Sequence, residues 1–347
     1  MRLIRILKVS SYIVVVSIIT VLVLEFTLRF LGFTYSTPHI MYDENCYWRM
    51  APKQKMYDRD EYGNDIIFTV NSLGARGKNF PVKKTSDQRR IICLGDSYTY
   101  GWGVDDTSTY PAHLQNLIDE DFSNFRVINF GCNGHTILHE VKLLEKYGLE
   151  LKPDYVIVAT SLHTDFVDID ELEYRLGYMP APGYNLIKTC IRKTAIGNIL
   201  LKYWNSKKVK TILFQRKQAQ KGKKQVQEEK RKKECKSFSI YIDKLDELVE
   251  IGLRNNFKII YVIMPWRGMD LSEVKIMGSN QSSWGSALQY YEFLKNRYGD
   301  SIIFVELMSH FKSKDLFLSD WHLNAKGNKL AAEIIHNNIK HLLKAAP

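Results

Sequence analysis

Cysteine is scarce in this sequence, and its pattern excludes two kinds of cross-linked protein. The 347 residues contain five cysteines, an odd number, and no two of them have the Cys-x-x-Cys spacing of zinc and redox sites. Cys93 and Cys132 lie in or beside apolar runs, where cysteine usually acts as a small core hydrophobe. We therefore expect neither a disulfide framework nor a metal site, and no residue pattern implies a cofactor.

Long hydrophobic runs are absent except for one at the amino terminus. Three basic residues precede an uncharged stretch from Val9 to Leu24, slightly shorter than the roughly 17–25 residues of a membrane-spanning helix. Apolar residues continue past Glu25, and no Ala-x-Ala-like cleavage site follows, which favours a retained signal anchor. Residues 1–33 predict a single-pass cell-membrane anchor with a cytoplasmic amino terminus and an exported body. A buried core helix is the alternative.

An excess of charge of one sign is also absent, except in one segment. The net charge of +11 comes from Lys202 to Lys236, where fourteen Lys or Arg stand against three Glu, and the rest of the chain is neutral. Such a block is typical of a solvated helical face or a disordered loop. The alternative is contact with anionic lipid headgroups or an acidic polymer. Nucleic acid is not an expected partner of an exported domain.

Beyond the anchor, an irregular lead-in at 34–86 is expected to pack on a main domain at 87–347. Apolar runs separated by helical patterns predict five strands: Arg90–Leu94, Arg126–Phe130, Asp154–Thr160, Lys258–Met264 and Ser301–Leu307. This alternation predicts an α/β fold, with a mostly parallel sheet covered by helices on both faces. An interval without a confident strand, at about 166–238, follows the third strand and is a candidate cap over a site there.

A glycine turn after the first predicted strand presents Ser97. Ligand sites of open α/β sheets form at this carboxyl edge, and a serine placed there becomes a nucleophile only if a base can reach it. His322 follows the fifth predicted strand and is the candidate base. Asp320 stands close enough to orient its imidazole. Asp96 is expected to hold the turn by accepting backbone hydrogen bonds.

Several blocks in a fixed order resemble the SGNH hydrolases, also called GDSL-type esterases and lipases. The blocks are Gly95-Asp96-Ser97-Tyr98-Thr99-Tyr100-Gly101, Asn129-Phe130-Gly131-Cys132-Asn133-Gly134, Lys152-Pro153-Asp154-Tyr155-Val156 and Asp320-Trp321-His322-Leu323-Asn324. The resemblance implies a three-layer α/β/α, flavodoxin-like fold, acyl transfer by Ser97, His322 and Asp320, and an oxyanion hole that includes the amides of Ser97 and Gly134.

The sequence departs from the family pattern at two places. Where the family usually has Gly-x-Asn-Asp, Thr164 stands at the asparagine position, so a shorter hydroxyl takes the place of an amide donor. Loss of one oxyanion donor typically lowers the rate about 10²–10³-fold. His163 is a candidate replacement donor. The acid and base form Asp-x-His, a spacing that related polysaccharide-acetylating enzymes also use.

The resemblance favours a serine esterase or O-acyltransferase that acts on an O-acylated carbohydrate or cell-surface glycan. Two alternatives stay open: a glycan-binding or assembly protein on a decayed esterase scaffold, and a lipase. The aromatic residues beside Ser97 are expected either to form a wall that stacks against sugar rings or to pack at the edge of the core. They are Trp102, Tyr98 and Tyr100.

Overall fold

The computed structural model describes residues 2–31, 40–161, 191, 194–204, 223–265, 276–277, 283–284 and 287–344. A five-stranded parallel sheet lies at its centre, with strand order β11-β8-β7-β5-β6. The strands of the sheet are β5 (Arg89–Gly95), β6 (Phe125–Asn129), β7 (Tyr155–Thr160), β8 (Lys258–Ile263) and β11 (Ile302–Glu306). Each lies within two residues of a predicted strand, so the predicted α/β sheet is confirmed.

Helices cover both faces of the sheet. The α-helices within the described residues, whether or not they pack on the sheet, are α1 (Arg2–Phe30), α2 (Ser97–Tyr100), α3 (Tyr110–Asp121), α4 (Ile137–Leu143), α5 (Ala195–Trp204), α6 (Lys223–Asn255), α7 (Ala287–Tyr298) and α8 (Ala325–Lys344). One core cluster joins one face to α3 and α8, and another joins the opposite face to α4, α6 and α7. Because both faces are covered, every residue of β7 is buried, which explains its unbroken apolar run.

The lead-in is not irregular, and that expectation was wrong. It forms two antiparallel hairpins, one from β1 (Ile40–Asp43) and β2 (Tyr47–Met50) and the other from β3 (Gln54–Arg59) and β4 (Asp65–Val70). A backbone hydrogen bond of 2.8 Å from Arg76 to the Asn129 carbonyl joins the segment to the end of β6. The four strands are short and lie partly exposed, so their sequence lacks a strong apolar pattern.

The amino-terminal helix α1 is long and apolar enough to cross a membrane. An 18-residue window within its segment Arg5–Phe30 has a mean hydropathy of 2.4, and none of that window is buried. A signal sequence near an amino terminus has the same length and composition. Both oxygens of the Glu25 carboxylate accept backbone hydrogen bonds at the start of α5, from Ala195 at 2.8 Å and Ile196 at 3.0 Å.

The predicted interval at 166–238 lies only partly within the described residues. Its described part contains α5 and the beginning of α6, and α6 includes the basic residues from Lys223 to Lys236. A further short hairpin, β9 (Ile276–Met277) with β10 (Ser283–Trp284), lies between β8 and α7. Whether the interval caps the site stays a prediction.

Candidate active site

The candidate site forms where β5 ends and the loop after β11 returns to the sheet. Gly95 is the last residue of β5 and has φ of +151°. A β-carbon at this position would overlap the Thr99 side chain and approach the Ala159 carbonyl, so only glycine fits. Asp96 is buried and accepts a 2.8 Å hydrogen bond from the Tyr98 amide. Its expected structural role matches this contact.

Ser97 is the first residue of α2, and the structure brings it against His322. The Ser97 hydroxyl lies 2.8 Å from His322 Nε2, the separation of a serine and its general base. On the other side of the ring, Nδ1 lies 3.1 Å from Asp320 Oδ1. That contact is within ion-pair distance, but its angle is too poor for a well-aligned hydrogen bond. The three predicted side chains are therefore adjacent and in the expected order.

The Asp320 carboxylate is kept ionised by its neighbours. Burial raises the pKa of this group, but contacts with His322 and a hydrogen bond with the Trp102 side chain outweigh burial and lower the pKa below its usual value. The His322 backbone amide also donates to Asp320 at 3.3 Å. A carboxylate that stays charged at neutral pH favours a protonated imidazole in the transition state.

The tyrosines of the nucleophile block pack in the core rather than forming an exposed wall. Tyr100 is fully buried and stacks on Phe68 with ring centroids 6.0 Å apart. Tyr98 is 8% exposed and donates a 3.0 Å hydrogen bond to the Trp321 carbonyl. Of the two interpretations of these tyrosines, the structure supports core packing. Tyr98 also fixes the backbone between Asp320 and His322.

The expected oxyanion donors are only partly within the described residues. Gly134 lies in the turn after β6, with φ of +73°. A 3.0 Å hydrogen bond from the Cys132 amide to the Gly95 carbonyl holds this turn beside the end of β5. Thr164 and His163 lie outside the described residues. The oxyanion roles of Ser97, Gly134 and Thr164 stay predictions.

Sequence reasoning missed Arg76, which holds the loop after the serine. Its buried guanidinium donates 2.6 Å hydrogen bonds to three carbonyls, those of Tyr100, Gly101 and Val104. Asp106 balances the charge at 2.8 Å. Because Trp102 lies inside the held loop, Arg76 also positions the indole that contacts Asp320. No motif marks this arginine, since its contacts arise only in the folded chain.

Two further buried ionisable groups lie near the site and were not predicted. Burial, reinforced by the charge of Asp96, raises the pKa of Glu140 well above its ordinary value. Burial lowers the pKa of His135 to about 4, and its Nε2 lies 2.9 Å from the Trp48 carbonyl. Among the described residues, no cluster of three His, Cys, Asp or Glu could hold a metal ion.

The fold and the adjacent Ser97, His322 and Asp320 side chains define an α/β protein with the side-chain arrangement of a serine hydrolase. Residues 93–161 match the GDSL-like Lipase/Acylhydrolase family. This match agrees with the family resemblance predicted from the sequence.

One curated relative is the acetylxylan esterase of Xylanibacter ruminicola, 32% identical over 97 residues. The match covers 26% of this chain and 19% of the relative. The chain thus spans about a fifth of that protein's length.

Solved structures that align with much of the chain share little sequence with it and have low TM-scores. A catalytic mutant of the acetylxylan esterase Axe2 from Geobacillus stearothermophilus has a TM-score of 0.42 and 14% identity, covering 74% of this chain and 96% of its own. A G-D-S-L family lipolytic protein from Desulfitobacterium hafniense has a TM-score of 0.41 and 14% identity, covering 72% of this chain and 99% of its own.

Proposed function

We propose that the protein is a serine esterase that removes acyl groups from an O-acylated carbohydrate. The observation that carries this proposal is the 2.8 Å separation between the Ser97 hydroxyl and His322 Nε2, with Asp320 behind the imidazole. A serine without a positioned base is a weak nucleophile at neutral pH.

In the first half of the proposed reaction, His322 Nε2 takes the hydroxyl proton as Ser97 Oγ attacks the ester carbonyl carbon. The Ser97 and Gly134 amides and the Thr164 hydroxyl are the proposed donors to the resulting oxyanion. The tetrahedral intermediate collapses when the bond to the sugar oxygen breaks. That oxygen takes the proton from His322 and leaves as the free hydroxyl, while the acyl group remains on Ser97.

In the second half, water attacks the acyl-enzyme and gives a proton to His322. The bond to Ser97 Oγ then breaks, the proton returns to the serine, and the free acid is released. A sugar hydroxyl in place of water would give acyl transfer with the same side chains. Asp320 stabilises the imidazolium in both halves, and its lowered pKa keeps it charged for this role.

The carbohydrate substrate class is supported by the names of the relatives, among them acetylxylan esterases. These matches involve a small part of the curated relative or little sequence identity, so the substrate belongs to the proposal. The apolar α1 helix and the basic residues at its amino-terminal end support a further part of the proposal. In it, the enzyme is anchored at the cell membrane and its site faces outward.

The proposal is tested with the full chain in detergent and a small chromogenic acetate ester. Wild-type protein should release the chromophore, and the Ser97→Ala variant should retain only the background rate. Ser86→Ala, at an exposed serine outside the site motifs, is the matched control and should keep the wild-type rate. Equal rates for wild type and Ser97→Ala would contradict the proposal.

A second experiment separates hydrolysis from transfer. Wild-type protein is incubated with an acyl donor and an unacylated oligosaccharide, and the products are followed by mass. Hydrolysis yields free acid with the oligosaccharide unchanged. An oligosaccharide that becomes heavier by one acyl group would instead assign the protein as a transferase.

A further inference from the structure

A cavity outside the Ser97–His322 pair lies between the lead-in and the catalytic loops. Its volume is about 600 Å³, within the range of small-ligand sites. Its walls come from the turn of the β3–β4 hairpin, the loop after the nucleophile and the loop before the histidine. The lining residues used below are Asp60, Tyr62, Asp65, Asp105, Asp315 and Lys326.

This cavity adjoins the candidate active site through Leu318, which also lines it. The Leu318 amide donates a 2.7 Å hydrogen bond to the His322 carbonyl. On the hairpin side, the Glu61 carboxylate accepts a 2.6 Å hydrogen bond from the Ser319 amide, next to Asp320. A ligand in the cavity would therefore lie beside the loop that carries the acid and the base.

The hairpin turn is organised before any ligand binds. Asp60 Oδ1 accepts hydrogen bonds from the amides of Tyr62 at 2.9 Å and Asn64 at 2.8 Å. Asn64 also donates its side-chain amide to Asp60 Oδ2 at 2.8 Å. A turn that is already fixed loses little conformational entropy when a ligand binds to it.

One exposed aromatic side chain lines the cavity, and a second lies on the adjoining loop. Tyr62 lines the cavity and is 69% exposed. Trp321, between Asp320 and His322, is 42% exposed and has φ of +84°. A left-handed backbone is unfavourable for a bulky side chain, and the partial burial of the Trp321 ring offsets little of that cost. Strain of this kind is concentrated at functional sites.

The lining of the cavity carries more acidic than basic side chains. It includes the carboxylates of Asp60, Asp65, Asp105 and Asp315 and the ammonium of Lys326. Burial raises the pKa of Asp105, but hydrogen bonds from Thr107 and Ile67 outweigh it and lower the pKa, so this group is charged at neutral pH. Carboxylates accept hydrogen bonds from sugar hydroxyls but repel a uronate.

From these observations we infer that the cavity is a subsite for neutral glycan residues that flank the acylated sugar, with Tyr62 as its stacking surface. The inference rests on the proposed function for the identity of the neighbouring acylated sugar. Binding in the subsite needs no chemistry at Ser97, so it can be measured separately.

The test is calorimetric binding of an unacylated neutral xylo-oligosaccharide to the full chain. Wild type should bind it, and Tyr62→Ala should raise Kd about three- to tenfold, as expected for one lost aromatic stacking contact. Tyr57→Ala removes another exposed tyrosine of the same hairpin, outside the cavity lining, and should leave Kd unchanged.

An oligosaccharide of uronic acids should bind more weakly than the neutral one, and the difference should shrink at high salt. No binding of the neutral oligosaccharide, equal Kd for wild type and Tyr62→Ala, or stronger binding of the uronate would overturn the inference. Failure of the proposed function would show differently, as an absence of Ser97-dependent ester hydrolysis with the binding results unchanged.

Discussion

Two regions of the molecule meet at the candidate site, and they contribute different things. The sheet edge carries the proposed reacting groups, with Ser97 after β5 and His322 after β11. The lead-in hairpins contribute none of these groups but fix their surroundings, through Arg76 on the loop after the serine and Glu61 on Ser319. The sheet edge is thus proposed to carry the chemistry, and the lead-in to position the groups around it. Loss of a group at the sheet edge should stop the reaction, whereas loss of a lead-in contact should weaken the fold or its alignment.

The largest effect is expected at the sheet edge. His322→Ala removes the only base in contact with Ser97 among the described residues, so kcat on a chromogenic acetate should fall about 10⁴–10⁶-fold. The melting temperature should change little, since the ring is partly exposed. His310→Ala, at an exposed histidine, should keep the wild-type rate. A His322→Ala enzyme within tenfold of wild type would show that the sheet edge does not supply the base.

The largest effect in the lead-in is expected at Arg76. Arg76→Met leaves three carbonyls without their donor and Asp106 without its partner. The free energy of unfolding should fall by about 3–5 kcal/mol, the usual cost of removing one partner from a buried ion pair.

Arg89→Met is the control for this prediction, because Arg89 makes a longer and more exposed contact with Asp154, at 3.4 Å. It should cost less than about 1 kcal/mol. Both are measured by denaturant unfolding. Equal losses for the two variants would contradict a special positioning role for the lead-in arginine.

Acid should weaken the junction between the two regions at His135. This imidazole is buried and contacts the Trp48 carbonyl of the lead-in. Its pKa is lowered from 6.5 to about 4, so the unfolded chain binds the proton more readily than the folded chain. The stability contribution is complete above pH 6.5 and is lost as the pH falls towards 4, by up to about 3 kcal/mol.

Unfolding of wild type and His135→Asn at several pH values measures this contribution as the difference in slope between pH 6.5 and 4. The variant should lose stability less steeply with acid than wild type. Identical slopes would mean that His135 is protonated equally in both states. His310→Asn, at an exposed histidine, is the control that should not alter the slope.

The smallest effect is expected at Glu61. Glu61→Gln keeps an acceptor for the Ser319 amide and removes only an exposed charge. The melting temperature should therefore be nearly unchanged, and kcat should stay within about twofold of wild type. Glu61→Pro, which restricts the hairpin turn, should disturb Asp320 and reduce kcat further. If Glu61→Gln lowered kcat as much as His322→Ala, the division between chemistry and positioning would be wrong.

The sequence was sufficient to predict the sheet and to bring forward the candidate reacting groups. Each central strand is an unbroken apolar run bounded by polar residues, because both faces are buried, and such runs are easily recognised. Ser97, Asp320 and His322 were predicted because acyl transfer restricts which residue types can serve and because they stand in recognisable blocks.

The positioning groups could not be predicted for a physical reason. Arg76 acts through three carbonyls 24 to 28 residues further along the chain, and a carbonyl carries no side-chain signature. In the lead-in, strand β4 buries every second residue. This alternation extends over too few residues to be distinguished from irregular chain in the sequence. The sequence could not decide whether Tyr100 packs in the core or contacts a sugar, since an aromatic residue suits both. In the structure, Tyr100 is fully buried in the core.

The central claim is that Ser97 is a nucleophile activated by His322, and a fluorophosphonate probe tests it most directly. After incubation of the full chain with the probe, peptide mapping by mass spectrometry locates the adduct. We predict a single phosphonylated residue, Ser97, with labelling greatly slowed in His322→Ala and normal in His310→Ala. No adduct on wild-type protein, or an adduct at another serine, would contradict the account.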